Sequence, residues 1–402
     1  MAHSHILEGL DLVDVVELVL AFVGVAMVVA ALAANQGWLD RHFLPSFFLT
    51  RRAYVLIETA VRAVAAAAGL SIALVGRKPI ARLVARRPSD VVRVAMAAIL
   101  ALVASEIVLT RVHLRPIEWL EPDEEPLRRA DMRLGWTIVP ARTGHGTIGG
   151  RAIDYTFDPS GYRVRRLDEP VDTSRPSIVF IGESAMLGFG LTWDETIPAQ
   201  VGMMTGIQSA NLAVNGFGND QAYMRLRAEL PRFRHPLAVV ALFMTSLFGR
   251  NLDDDRPHIG PGLAWQPARH YSSLRWLGKF LVPYRSTDAV ERGIAVTREV
   301  LRATADLAIA RGATPLILVP HFGSEDEVER SLRRRILDEA TLPYVLVQID
   351  PEWHVGGDPH PDARATHQIA AAVAARLGVS DYVHLKSSSS VPKPGPNAAA
   401  RP

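Results

Sequence analysis

Three long apolar stretches precede residue 113. They cover Leu12–Ala34, Ala53–Val75 and Val91–Val112. Each has the roughly 20 residues that a helix needs to cross the hydrocarbon core of a bilayer. The first does not resemble a cleaved signal peptide, because it lacks a basic start and two similar stretches follow it. The pattern predicts a membrane region over residues 1–115 with three transmembrane helices.

The basic residues between these stretches predict how the helices are oriented. The segment between the second and third stretches carries five of them: Arg77, Lys78, Arg82, Arg86 and Arg87. The segment between the first and second carries three: Arg41, Arg51 and Arg52. Because the more basic loop is expected in the cytoplasm, the N-terminus is predicted inside and everything after Val112 outside. An ordinary positive-inside loop explains the basic residues better than a site for nucleic acid or lipid headgroups.

Charged side chains interrupt two of the apolar stretches. Glu58 and Arg62 lie in the second, and Glu106 lies in the third. Because charges facing lipid are costly, they are expected either to pair inside a small bundle or to line a substrate path. With only three helices, structural pairing is the favoured interpretation.

From residue 177 onwards, short apolar runs alternate with segments of helical periodicity. The predicted strands are Ser177–Ile181, Ile207–Leu212, Leu237–Phe243, Pro315–Val319 and Tyr344–Ile349. A long helix between the third and fourth strands is predicted from apolar positions three and four residues apart: Val290, Ile294, Leu301, Ala305 and Ala308. Further helices are predicted from Ser324 and over Asp362–Leu377. The alternation predicts an α/β domain over 177–386 with a mostly parallel sheet covered on both faces.

The flanking segments have different compositions. Residues 116–176 combine an acidic linker with β-hairpin patterns such as Thr137–Val139 and Ile153–Phe157. Residues 387–402 are mostly Ser, Pro and Ala, so this tail is predicted to be disordered. The whole chain of 402 residues has a net charge of +2 and no cysteine. This composition argues against a strongly charged partner such as nucleic acid, and it excludes disulfides and a cysteine nucleophile.

Two polar motifs follow predicted strands of the same sheet. Gly182-Glu-Ser184 ends the first strand at a strand-to-helix turn, and Asp358-Pro-His360 precedes the last helix. Taken separately, a serine N-cap and an ordinary polar loop explain these motifs better than chemistry does. The carboxyl ends of parallel strands converge, however, and an imidazole oriented by a carboxylate can activate a serine. The joint pattern therefore favours a nucleophile and base.

These residues resemble the ordered blocks of the SGNH/GDSL hydrolases. The matching segments are Gly182-Glu-Ser184-Ala-Met-Leu-Gly-Phe-Gly190, Glu195-Thr-Ile-Pro198, Asn211-Leu-Ala-Val-Asn-Gly216-Phe-Gly-Asn-Asp-Gln221 and Asp358-Pro-His360-Pro361. The upstream Leu134-Gly-Trp136 and Gly161-Tyr-Arg163 are similar to the lead-in of many membrane-linked bacterial members. The resemblance covers about residues 131–382. It implies a flavodoxin-like three-layer sandwich with a mostly parallel five-stranded sheet.

The resemblance also implies a role for each matched residue. Ser184 would be the nucleophile, His360 the general base and then acid, and Asp358 the residue that orients His360. The N–H groups of Ser184 and Gly216 would stabilise the oxyanion. Where the family has Asp before the serine, this chain has Glu183. The family's third block usually supplies an Asn side chain, but Ser246 stands at that position, so the third donor is expected to be Ser246, a folded-back Asn251, or none.

Other candidate residues point less clearly to chemistry. Asn251-Leu-Asp-Asp-Asp255 with His258 lacks a calcium-loop spacing and is interpreted as a solvated loop, so no metal site is predicted. His321 either borders the site or caps a loop, and His367 is expected to be packed on the last helix. Residues 250–287, with Trp265, His270, Tyr271 and Trp276, either cover the site or are packed for stability.

The sequence therefore predicts a bacterial inner-membrane protein with an extracytoplasmic serine esterase or O-acyltransferase domain. The expected substrates are acyl esters of an envelope glycan or lipid, and no cofactor is required. One alternative is a catalytically weak or inactive domain that binds polysaccharide or an envelope protein. Another is a domain that works with a separate membrane acyl donor.

Overall fold

A computed structural model of the chain describes residues 11–42, 51–112, 128–269 and 287–378. These residues form two compact units. The first contains the helices before residue 121, and the second contains the strands and most of the later helices. The predicted acidic linker, the predicted disordered tail and the aromatic residues at 271 and 276 lie outside the described residues.

The first unit is helical. Its helices are α1 Leu12–Ala33, α2 Gln36–His42, α3 Arg51–Leu70, α4 Arg77–Arg86 and α5 Pro88–Val112, with the π-helical segment Ser71–Gly76 between α3 and α4. Three helical segments are long and apolar enough to cross a membrane: Leu12–Ala33, Val55–Arg86 and Pro88–Val108. The basic segment after residue 76 is largely helical and not a loop. Its Arg, Ala and Leu residues favour helix, and no Gly interrupts them.

Small residues allow α1 and α3 to approach each other closely. A Cβ on Gly24 would lie 2.5 Å from the carbonyl oxygen of Gly69, so no larger residue fits there. Arg62 on α3 donates from Nε to the carbonyl oxygen of Ala31, 2.9 Å away. The amide of Gln36 donates to Glu58 at 3.3 Å. Glu58 and Arg62 of α3 therefore have polar partners within this helical unit.

The second unit is built around a central sheet. Its strands are β1 Arg128–Asp131, β2 Gly135–Ile138, β3 Arg142–Ile148, β4 Arg151–Phe157, β5 Arg163–Val164, β6 Ser177–Ile181, β7 Gln208–Asn211, β8 Pro236–Leu242, β9 His258–Ile259, β10 Trp265–Gln266, β11 Thr314–Phe322 and β12 Tyr344–Ile349. Eight strands form one sheet in the order β12-β11-β8-β6-β7-β5-β4-β3. The pairs β1-β2 and β9-β10 are separate ribbons.

The predicted five-stranded sheet is therefore too small, because the described sheet has eight strands. The five predicted strands are the parallel ones: β6, β7, β8, β11 and β12. The lead-in adds β3, β4 and β5 in antiparallel fashion beside β7. Hairpin patterns were visible in the sequence, but alternation alone does not reveal which sheet edge a hairpin extends.

Helices connect the parallel strands and cover the sheet. They are α6 Ser184–Leu187, α7 Ile197–Thr205, α8 Asn219–Glu229, α9 Thr287–Ala310, α10 Glu327–Arg333 and α11 Ala363–Arg376. The chain moves from β6 to β7 in one direction and from β7 through β8 to β12 in the other. Right-handed crossovers therefore place α7 on one face and α8, α9 and α10 on the opposite face. In agreement, α11 packs against α7, whereas α8 and α9 share a buried cluster.

The reversal of direction beside β6 fixes where a site is expected. Every residue of β6 is buried, as its apolar sequence predicts for a central parallel strand. Strand β7 lies on one side of β6 and β8 on the other. In open α/β sheets, ligands bind at the carboxyl ends of the strands where the order reverses, and the turn after β6 lies at that point.

Candidate active site

Ser184 is the first residue of α6, directly after the turn that ends β6. The preceding Glu183 has extended backbone and caps the helix, because its Oε1 accepts the N–H of Ala185 at 3.0 Å. Ser184 itself is buried. The N-cap predicted as the ordinary explanation for the serine is thus Glu183, and the hydroxyl of Ser184 is left for other contacts.

Asp358 and His360 lie in the loop between β12 and α11. The loop is held by its own backbone, since the N–H of Val355 donates to the carbonyl of His360 at 2.9 Å. The N–H of His360 donates to Oδ1 of Asp358 at 2.9 Å, and the same oxygen is hydrogen-bonded to Nδ1 of the ring. The carboxylate therefore fixes the orientation of the imidazole and leaves Nε2 facing away from it.

The serine and histidine, 176 positions apart, meet at the carboxyl edge of the sheet. His360 Nε2 lies 2.7 Å from Ser184 Oγ, within hydrogen-bonding distance. Ser184, His360 and Asp358 thus form a continuous row of hydrogen bonds. Burial opposes ionisation of Asp358, but its contacts with His360 outweigh this effect and lower the pKa of Asp358 below its ordinary value of 3.8. The carboxylate is therefore ionised at neutral pH.

Glu183 makes a second contact with the serine. Its Oε2 accepts a hydrogen bond from the Ser184 hydroxyl and another from Arg250 Nη1 at 3.0 Å. Burial raises the pKa of Glu183, but the charges of Arg250 and His360 outweigh it, so the net pKa lies below the ordinary 4.5. A hydroxyl has one proton, so Glu183 and His360 compete for it.

The segment after β7 runs beside the serine turn. The N–H of Val214 donates to the carbonyl of Gly182 at 3.2 Å, which continues the parallel pairing of β6 and β7 beyond their ends. Gly216 follows two residues later. Within the described residues, neither the N–H of Ser184 nor that of Gly216 donates a hydrogen bond. Both predicted backbone donors are thus available to a ligand.

A small pocket opens where β6, β7 and β8 end. Its wall includes Glu183, Asn219, Arg250 and Asn251, whereas Ser184 and Ser246 both lie outside it. Ser246 is the second residue of the 3₁₀ turn Thr245–Leu252 after β8 and is half-buried.

The amide of Asn251 is already paired within this pocket. Its Oδ1 accepts the N–H of Asn219 and its Nδ2 donates to Asn219 Oδ1, each at 2.9 Å. Asn251 therefore ties the turn after β8 to the start of α8.

Arg163 of the lead-in organises the loop that follows the serine. Its buried guanidinium donates to the carbonyls of Leu187 and Gly188 at 2.6 Å and to that of Leu191 at 2.5 Å. It also lies over the ring of Tyr155, 4.6 Å from the centroid. Burial lowers the pKa of Arg163 to about 10, which leaves it charged at neutral pH.

This loop is connected to His360 through aromatic contacts. The N–H of Gly190 donates to the hydroxyl of Tyr155 at 2.8 Å, and Tyr155 stacks on Phe189. The ring of Phe189 lies 4.8 Å from that of His360. At Gly188, φ is +86° and a Cβ would lie 2.4 Å from Thr196, so only glycine fits this turn.

Trp136 of the other lead-in motif contacts the segment that contains Gly216. Its indole N–H donates to the carbonyl of Asn215 at 2.9 Å, and its ring packs edge-on against Phe217. The two motifs noted upstream of the serine therefore have distinct contacts. Arg163 holds the loop after Ser184, and Trp136 holds the loop around Gly216.

The remaining candidate residues have other partners. His321 Nε2 is hydrogen-bonded to Glu329 at 2.7 Å, so it ties β11 to α10. His367 is exposed and not packed, with Nδ1 2.7 Å from Gln200 Oε1. His258 contacts the carbonyl of Arg256. Among the described residues, no group of three acidic or histidine side chains is arranged to hold a metal ion.

In the sequence, Glu183 is marked only as a substitution relative to the resembled family, and no motif indicates Arg250. A charged residue among apolar neighbours, Leu247-Phe-Gly-Arg250, is the one signal that would have marked it. The link between Glu183 and Arg250 depends on the 3₁₀ turn after β8, which periodicity does not predict.

No family model and no curated protein matches the chain. Solved structures do match. One described as a G-D-S-L family lipolytic protein from Desulfitobacterium hafniense is 11% identical, covering 50% of this chain and 98% of its own (TM-score 0.33). An acetyl xylan esterase from Butyrivibrio proteoclasticus is 11% identical, covering 55% and 66% (TM-score 0.33). A salicylyl-acyltransferase from a tetracycline biosynthetic pathway is 15% identical, covering 54% and 58% (TM-score 0.27).

Proposed function

We propose that this chain is a membrane-anchored serine esterase or O-acyltransferase that acts on acyl esters of an envelope glycan or lipid. The observation that carries the proposal is the row of hydrogen bonds from Ser184 through His360 to Asp358. A hydroxyl becomes a useful nucleophile when an adjacent base removes its proton and a third group orients the base. The contacts of Ser184, His360 and Asp358 fit these three roles.

The reaction follows from the roles of these groups. Ser184 Oγ attacks the acyl carbonyl while His360 Nε2 takes its proton, and the carbonyl oxygen becomes an oxyanion facing the N–H groups of Ser184 and Gly216. Collapse expels the alcohol, which receives the proton from His360, and leaves an acyl ester on Ser184. Water then releases the acid, or a sugar hydroxyl receives the acyl group, with His360 again moving the proton. No metal or organic cofactor takes part in this scheme.

The membrane assignment is a separate part of the proposal. Three helical segments have the length and apolar composition to cross a bilayer. The distribution of basic residues favours an extracytoplasmic α/β unit, which would bring the site to envelope substrates.

Hydrolysis of 4-nitrophenyl acetate by the purified full-length protein in detergent tests the chemistry. We expect activity that is lost in Ser184→Ala, and retained in Ser246→Ala because no hydrogen bond joins Ser246 to Ser184, Glu183 or His360 among the described residues. Adding an oligosaccharide acceptor then distinguishes transfer from hydrolysis by the appearance of an acylated sugar. A folded wild-type protein without Ser184-dependent activity would favour a domain that only binds its ligand.

A further inference from the structure

The surroundings of Ser184 differ from the resembled family at two positions. Glu183 stands where the family has Asp, and no Asn side chain is free at the third oxyanion position. Glu183 also connects Ser184 to Arg250, because its Oε2 accepts hydrogen bonds from both the Ser184 hydroxyl and Arg250 Nη1. Arg250 therefore lies at most two hydrogen-bond lengths from the nucleophilic oxygen.

The length of the Glu183 side chain makes this bridge possible. Its Oε1 is used for capping α6 at Ala185, while Oε2 faces Ser184 and Arg250. An aspartate is one methylene shorter and would have to give up part of this arrangement. The longer carboxylate thus serves two purposes, as helix cap and as holder of the guanidinium.

Arg250 has donors to spare. A guanidinium has five N–H groups, and among the described residues the Arg250 side chain donates only to Glu183. Its side chain is 19% exposed and forms part of the pocket wall. Further N–H groups are therefore available to a substrate oxygen in the pocket.

The backbone at Arg250 is held in place from the opposite side. Its carbonyl accepts from Arg256 Nη2 at 2.6 Å. Arg256 in turn forms a two-pronged ion pair with Asp220, and both side chains are almost fully buried. A fixed position is what an oxyanion donor requires, since it must not reorganise during the reaction.

The other candidates for the third donor are less suitable. Among the described residues, Ser246 has no hydrogen bond to Ser184 or Glu183, unlike Arg250, and the amide of Asn251 is paired reciprocally with Asn219. We propose that Arg250, held by Glu183, is a catalytic residue that donates to the oxyanion formed at Ser184. The inference rests on the proposed acyl chemistry and identifies the residue that takes the place of the family's Asn. The planar guanidinium can contact the carboxylate and the oxyanion with separate N–H groups.

Kinetics of 4-nitrophenyl acetate hydrolysis by the full-length protein test this role. Removing one oxyanion donor costs roughly 10²–10³-fold in kcat. We expect that loss in Arg250→Ala with little change in KM. A smaller loss of kcat is expected in Arg250→Lys, which keeps the positive charge but not the planar guanidinium. In parallel, the affinity for phenylboronic acid, which forms a tetrahedral adduct with the serine, should fall by a similar factor. A merely structural residue would not change boronate affinity and kcat together while leaving KM unchanged.

Arg227→Ala is the matched control, because this arginine is exposed on α8 and outside the pocket. It should keep wild-type kinetics. Wild-type kcat and boronate affinity in folded Arg250→Ala would overturn the inference while leaving the proposed function intact. If Arg250→Ala does not fold, wild-type values for Arg250→Lys would overturn it instead. A wild-type protein no more active than Ser184→Ala would overturn the proposed function, and this inference with it.

Discussion

Asp358 is connected to Ser184 through the imidazole of His360, which is hydrogen-bonded to both. Its carboxylate accepts hydrogen bonds from both the backbone and the ring of His360, which leaves Nε2 free to face the serine. The sequence predicted this meeting because both motifs follow strands of one parallel sheet. It did not predict the Glu183–Arg250 contact, because side-chain reach across a pocket depends on rotamers and on a short 3₁₀ turn.

Replacing Asp358 tests the orientation of the histidine. An amide in Asp358→Asn keeps the shape but favours the wrong tautomer of His360, so kcat should fall by roughly 10⁴-fold. Asp350→Asn is the control, because Asp350 is exposed and its oxygen accepts only a local backbone N–H. We expect it to retain activity within about twofold. Equal activity of both variants in the ester assay would contradict the assigned role of Asp358.

Glu183 gives a second prediction, which concerns stability. Because its pKa is lowered in the folded protein, ionised Glu183 should stabilise the fold fully above the ordinary value of 4.5. This contribution should be lost as the pH falls through the lower folded pKa. The thermal midpoints of wild type and Glu183→Gln, followed by tryptophan fluorescence in detergent, should therefore differ at neutral pH and converge in acid. A difference that grows in acid would show the opposite sign of linkage.

At the scale of elements, the lead-in strands hold the site together. Strand β5 places Arg163 under the loop that follows Ser184, and the β1–β2 ribbon places Trp136 against the loop around Gly216. The five parallel strands were predictable from their apolar runs, because central strands bury both faces. The three antiparallel strands were not placed, since their pairing partner is not encoded in their alternation. The helix predicted from Ser324 begins later, at Glu327, because Asp326 is its N-cap and forms a capping box with Glu329.

Arg163→Met tests the importance of the lead-in. Among the described residues, the substitution leaves the buried carbonyl of Leu191 without a donor, whereas those of Leu187 and Gly188 keep Asn211 Nδ2 and the N–H of Leu191. The free energy of unfolding should therefore fall by about 1–3 kcal/mol. Its matched control is Arg165→Met two residues later, where an exposed pair with Asp194 is lost and a change of about 0–1 kcal/mol is expected. Denaturation of both variants measures the difference. Similar midpoints for the two would contradict the role given to Arg163.

At the scale of the whole molecule, the chain combines an apolar helical part with an α/β part that carries the site. The apolar helices were predictable because length and hydropathy alone determine the capacity to span a bilayer. The helical continuation through residues 77–86 was not predicted, because a basic segment was interpreted as a loop.

Topology gives a prediction at this scale. Because the segment between the second and third apolar stretches is the more basic, we expect the C-terminal part outside the cytoplasm. A reporter enzyme that works only outside the cytoplasm should therefore be active when it is fused after Lys386. An otherwise identical fusion of a reporter that works only in the cytoplasm should be silent. The reverse pattern would contradict the proposed orientation.

The most direct test of the central claim is intact-mass measurement after reaction with a fluorophosphonate. We expect one phosphonyl adduct on the full-length protein, mapped by peptide fragmentation to Ser184. No adduct is expected on Ser184→Ala, and a much slower reaction is expected in His360→Asn, with His367→Asn reacting at the wild-type rate. A folded wild-type protein that remains unmodified, or one modified at another serine, would contradict the claim that His360 activates Ser184.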